Sequence, residues 1–308
     1  MAKIMLITIL ILFCTGSVVK AQNEVVPFDP VLSPFLNVRD FCIADDGQEA
    51  FFTIQSPDQA ISQIACTRKV NGEWSAPSLL PFCDTYMYLE PFLTADGKRL
   101  FFASDRPLDG SAVRKDFDIW YVERKNNNAP WSAPVNLGEP VNSGLDQFYP
   151  TLSDNLNLYF TMASPEGLGK DDIYFSRWDG RQYTTPVLLD TNVNSSGYEF
   201  NAFISRNEDF ILFTKYNEPG GQGSGDLYIA QKDAYGNWQK AVNLGVPVNT
   251  KAMEYCPFYD EKNHTLYFTS RRNTLQPRPF RDINDFQEYI NNGENGLSKI
   301  YKVSFKIR

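Results

Sequence analysis

A single motif returns along this chain at near-constant spacing, and that regularity leaves few folds open. A strand ending in paired apolar or aromatic residues gives way to a polar loop. A second strand of the form Asp-Ile-Trp or Asp-Ile-Tyr follows, and then Trp-x-x-Pro-x-x-Leu. The clearest copies carry Asp118-Ile119-Trp120, Asp172-Ile173-Tyr174 and Asp226-Leu227-Tyr228, with weaker ones at Ile64 and Ile300-Tyr301. Successive copies stand 55, 54, 54 and 73 residues apart. A strand-built period of this size implies a propeller or a comparable array, because one unit cannot bury its apolar face alone.

The copy beginning near Phe148 reads as four short strands, over 149–152, 156–162, 172–178 and 183–189. Asp154-Asn155, the loop around Gly167 and Gly169, and Asp179-Gly180 supply the turns. Four antiparallel strands per repeat make one blade. Residues constant between copies read as scaffold. Phe52, Phe102, Phe160, Phe213 and Phe268 share one register and fill the gaps between blades. Trp74, Trp131 and Trp238 open the outer strand, with Pro77, Pro134 and Pro186 at positions where a free edge tolerates proline. Val141-Asn142-Ser143, Val193-Asn194-Ser195 and Val248-Asn249-Thr250 mark the crossings between blades.

The last copy ends with three strands and no Trp-x-x-Pro segment. A matching piece, Pro27-Phe28-Asp29-Pro30-Val31-Leu32, lies at the other end of the chain. The expectation is an all-β, five-bladed propeller over 22–308, closed when the N-terminal strand 27–32 completes the last blade. Closure removes exposed sheet edges. Six blades are the alternative, should the long final copy form further strands.

The run Glu90-Pro91-Phe92-Leu93-Thr94-Ala95-Asp96-Gly97-Lys98-Arg99-Leu100-Phe101-Phe102-Ala103-Ser104-Asp105-Arg106, followed by Asp118-Ile119-Trp120, resembles the WD-like repeat of TolB-type propellers of the bacterial envelope. Weaker copies include Tyr255-Cys256-Pro257. The resemblance implies protein or peptide contacts at the propeller mouth and brings no catalytic residue with it. TolB-type propellers also carry a separate N-terminal domain, which is not expected here because 22–308 read as propeller throughout.

Residues 1–21 read as a secretory signal: Lys3, an apolar run from Ile4 to Cys14, and small residues at Val19 and Ala21. A lipid anchor on Cys14 is the alternative, disfavoured by the bulky Phe13 before it. The expected location is periplasmic or secreted, with no transmembrane segment. With Lys3 and Lys20 set aside, 27 basic residues face 37 acidic ones, which argues against a nucleic-acid partner. Cys42, Cys66, Cys83 and Cys256 allow three disulfide pairings or four buried thiols.

The chain's one histidine, His264, lies in a hairpin turn, so a hydrolase triad has no base. Gly220 to Gly225 lacks the Lys-Ser/Thr of a phosphate loop. No zinc pattern or twelve-residue calcium loop is present, and neither metal nor cofactor is expected. Carboxylates remain. Glu90, Glu199 and Glu254 each stand before an inner strand, where they could converge at the channel mouth as a glycosidase pair or be capped by arginines such as Arg106 and Arg272. Five-bladed glycosidases such as arabinanases place acids in this way but show no obvious sequence repeats.

The largest departure from the repeat is 271–297, with a helix expected over 282–290, Asp282 as its cap and Ile283, Phe286 and Ile290 on one apolar face. The reading is an exported, non-catalytic propeller. It binds a protein, peptide or glycan with Arg106, Tyr149, Tyr198, Glu199, Glu254, Tyr255, Arg271 and Arg272. A glycoside hydrolase using carboxylates at the channel mouth is the alternative.

Overall fold

The computed structural model describes residues 24–108, 113 and 115–307. The leader read at 1–21, Cys14 included, lies outside them. Five antiparallel sheets follow one another around a central channel, each forming one blade. Blade 1 uses Val38–Ile43, Glu49–Gln55 and Ser62–Val70. Ser78–Leu79 is its outer strand, and Glu73–Trp74 forms a small hairpin on the third. Blade 2 uses Tyr88–Leu93, Arg99–Ser104, Asp118–Glu123 and Val135–Asn136. Blade 3 uses Gln147–Leu152, Leu158–Met162, Asp172–Ser176 and Val187–Leu188. Blade 4 uses Glu199–Ile204, Phe210–Tyr216, Gly225–Gln231 and Val242–Asn243. Blade 5 uses Glu254–Asp260, Thr265–Ser270 and Lys299–Ser304.

The fourth strand of blade 5 comes from the start of the chain. Val26 pairs with Lys302 and Pro27 with Tyr301, and the Phe28 N–H donates to the Ile300 carbonyl at 2.9 Å. The ring therefore has five blades and closes as the matching N-terminal segment implied. The strand stops earlier than expected, because Asp29 accepts from the Val31 N–H and Pro30–Leu32 turns into a 3-10 helix with proline in its first turn. Outer strands elsewhere span two residues rather than seven. They face solvent, where prolines without an N–H leave little to pair.

The constant phenylalanines behave alike. Phe52, Phe102, Phe160, Phe213 and Phe268 are fully buried, opposite Ala65, Trp120, Tyr174, Tyr228 and Tyr301 of the third strands. The crossing asparagines act as pieces of strand. Asn142 accepts from the Ile119 N–H and donates to the Ile119 carbonyl, both at 2.9 Å. Asn194 does the same to Ile173, and Asn249 to Leu227. A primary amide copies one peptide unit of a neighbouring strand, so this residue recurs at the crossings into blades 3, 4 and 5.

Within the insertion, the helix Ile283–Asn291 has Asp282 as its cap, accepting from the Asp285 N–H at 2.9 Å. The residues of its apolar face, Ile283, Phe286 and Ile290, remain 70%, 40% and 38% exposed. Phe280 packs on Phe286 and Tyr289, so the insertion folds on itself. No described helix is long and apolar enough to cross a membrane. The four described cysteines are unpaired.

Candidate functional site

Each inner strand runs from the face of the blade crossings to the face of its first hairpin. The channel therefore has two mouths with different chemistry. At the crossing face, Glu199 accepts from the Ser195 N–H at 2.9 Å and its hydroxyl at 2.6 Å, with Lys215 Nζ 3.2 Å away. Glu254 accepts from the Thr250 N–H and hydroxyl, both at 2.8 Å, and from Ser270 at 2.6 Å, with Arg272 Nε at 3.6 Å. In blade 3 the same register holds Gln147, bonded to Ser143. These side chains lie inside the strand rather than before it, and they tie it to the preceding crossing.

Glu90 sits two residues further along its strand, so the three glutamates expected to converge fall into two registers. The other expected ligand residues are also engaged. Arg106 bonds the Tyr88 hydroxyl at 3.2 Å and pairs with Asp84 at 3.5 Å. Arg272 donates to the Pro247 carbonyl at 3.0 Å and stacks over Phe268 and Tyr301. Arg271 donates to Ser298 and covers the ring of Tyr255, which is buried and bonded to the same serine. Tyr149 is buried and donates to the Pro257 carbonyl, while Tyr198 meets Tyr216 edge-on beneath Lys170.

Deeper in the channel, every inner strand breaks register at one residue with left-handed φ: Asp40, Glu90, Tyr149, Asn201 and Cys256. All five are buried and face one another. Arg39 donates to Asp40 at 2.7 Å and to Glu90 at 2.8 Å, and Cys256 donates to Asp40 at 2.8 Å. Burial pushes the Glu90 carboxyl up to about 7, with Arg39 pulling it down and Asp40 adding to the rise. These five residues form a hydrogen-bonded ring between the two mouths.

The opposite mouth is open. A cleft of about 1040 Å³ is floored by Phe92, Phe203 and Phe258 and walled on one side by Trp131. Tips of the first hairpins form its rim. The Arg206 N–H donates to Glu261 Oε1 at 2.7 Å, and the Arg206 carbonyl accepts from the Asp154 N–H at 3.0 Å. The guanidinium of Arg206 pairs with Asp45 of blade 1. Asp154 is exposed and makes no side-chain hydrogen bond among the described residues. Partial burial raises the Glu261 carboxyl, Arg206 opposes the rise, and the charges of Asp209 and Asp154 add to it. Acid–base chemistry on a glycosidic bond uses two carboxyls, and Glu261 and Asp154 both line this cleft. In the sequence, Asp154 reads as a turn residue and Glu261 carries no signal.

No protein-family model and no curated protein matches the chain. Solved structures do. A structure described as a glycoside hydrolase aligns over 88% of this chain and 88% of its own, at 11% identity and TM-score 0.59. The endo-arabinase of Bacteroides thetaiotaomicron aligns over 92% and 98%, at 15% identity and TM-score 0.56. The α-L-arabinofuranosidase of Podospora anserina, in complex with cellotriose, aligns over 94% and 96%, at 12% identity and TM-score 0.54. At these identities the likeness is one of fold. It nevertheless overturns the expectation of a non-catalytic binding propeller. That expectation leaned on regular repeats setting this chain apart from five-bladed glycosidases. A repeat-built ring that superposes on glycoside hydrolases over most of both chains removes the separation.

Proposed function

We propose that this protein is a glycoside hydrolase whose reaction takes place in the cleft at the hairpin mouth. The observation that carries the reading is the Glu261–Asp154 pair on the rim of an open, aromatic-floored cleft. Glu261, held toward its protonated form, donates to the leaving oxygen. Asp154, exposed and without a side-chain hydrogen bond among the described residues, acts on the opposite side of the sugar as base or nucleophile. The spacing of the carboxyls selects the outcome: about 5–5.5 Å for retention and about 6.5–9.5 Å, with a water between, for inversion. Trp131 offers an aromatic surface suited to a sugar face. The endo-arabinase and arabinofuranosidase likenesses make arabinan the first polysaccharide to try. In this proposal the TolB-type repeat supplies the scaffold, and export through the leader brings the enzyme to its glycan.

The test is release of reducing ends from arabinan and a panel of other plant and microbial polysaccharides. Glu261→Gln and Asp154→Asn should each lower kcat by about 10²–10⁴-fold. The acid must be protonated to act, so activity should fall as pH rises through the raised Glu261 value. A wild-type protein that cleaves nothing in the panel, or variants that cleave undiminished, would sink the proposal.

A further inference from the structure

The channel ring shows one departure from its own fivefold rule. The residue opposite the last regular pair of each inner strand is Thr53 in blade 1, Thr161 in blade 3, Thr214 in blade 4 and Thr269 in blade 5. In three of these blades its hydroxyl accepts from the backbone N–H of the next blade's ring residue. Glu90 N donates to Thr53 at 3.2 Å, Asn201 N to Thr161 at 3.1 Å and Asp40 N to Thr269 at 3.2 Å. The Thr214 hydroxyl is buried without a partner. Blade 2 has Ala103 at this position, which offers no hydroxyl. There the Tyr149 N–H donates instead to Glu90 Oε2, at 2.7 Å.

We infer that Glu90 stands in for the missing hydroxyl at position 103, and that its carboxyl is the pH-responsive staple between blades 2 and 3. A buried backbone N–H needs an acceptor, and among the described residues of blade 2 Glu90 alone is bonded to this one. The groups facing the carboxyl are Arg39, Asp40, Tyr149, Asn201 and Cys256, with Tyr255 stacked beneath Arg39. Arg39 is thus shared between two carboxyls. Folding holds the Glu90 proton more tightly than an unfolded glutamate does. The stability from this group is therefore complete below the ordinary glutamate range and lost as pH rises through about 7. Above that, a second buried negative charge lies beside Asp40 with one guanidinium between them.

A double-mutant cycle tests the inference on the purified protein, without any substrate. Glu90→Ala should lower Tm, and Ala103→Thr should recover part of that loss. In the wild-type background, where the Tyr149 N–H already has its acceptor, Ala103→Thr should gain much less. Ala103→Ser repeats the cycle with a smaller side chain, in case the threonine methyl does not fit. Carboxyl NMR of Glu90 should show a midpoint near 7, moving upward in Ala103→Ser as the backbone N–H shifts to the new hydroxyl. Equal Tm increments in both backgrounds for both substitutions would overturn the staple. A Tm that does not change its pH dependence between about pH 5 and 8 when Glu90 is replaced would overturn the pH response.

Discussion

The two mouths of the channel hold similar residues and use them in opposite ways. At the crossing face, Glu199 and Glu254 are fully buried, each accepting two or three hydrogen bonds with a cation nearby. At the hairpin face, Asp154 is exposed and Glu261 accepts one backbone N–H. The difference follows from the chain path. A crossing must satisfy the backbone groups of a strand that is starting, and carboxylates and amides do so. At the hairpin tips, Asp46 and Asp96 bond the backbone of their own turns, whereas the Asp154 side chain makes no hydrogen bond among the described residues. An acid's position in a repeat therefore says more about its role than its type does.

The largest effect should come from opening the ring, which supports both mouths. Removing residues 24–33 leaves Lys299–Ser304 as a bare edge, and the protein should aggregate or lose cooperative unfolding. A truncated protein that melts like the parent would break the account of closure. Next, Glu254→Ala should cost about 3–5 kcal/mol, because it leaves Arg272, Thr250 and Ser270 without their shared acceptor. Unchanged stability with lost activity would reassign the crossing face to function.

Trp131→Ala should cost roughly 2–3 kcal/mol, below the fully buried range, since the ring is only partly buried at the cleft and stacks on the buried Arg124 at 4.3 Å. In addition it should raise KM for a cleaved glycan, which a purely structural tryptophan would not do. Replacing 276–295 by a short Gly-Ser link should leave Tm nearly unchanged, because no residue of the helix is buried. Activity at the far mouth should survive as well. The smallest stability effect belongs to Asp154→Asn, within about 0.5 kcal/mol, set against its large expected effect on kcat. A large loss of stability there would erase the contrast between the mouths.

Much of the architecture was legible because repetition is written in residue types that packing demands. The five phenylalanines, the crossing asparagines and the N-terminal strand all lie where their spacing put them. The eight expected ligand residues were legible only as a cluster near the crossings. Their partners, such as Lys215 for Glu199 or the Pro257 carbonyl for Tyr149, come from the neighbouring strand or from distant positions, and spacing cannot reveal them. The helix was foreseen, together with its cap. Its exposed apolar face was not, because periodicity shows that a face exists without showing what lies against it.

By itself, the sequence determined the repeat, its strands and the closure of five blades, since burial of alternating side chains is a local matter of period and composition. Only the tertiary structure decided which acids are neutralised and which stand open. That depends on the few ångströms separating Arg206 from Glu261, or Asp40 from Glu90, across blades 50 residues or more apart in the chain. Charge interactions at such short range are set by where the ring brings side chains together, and no order along the chain encodes it.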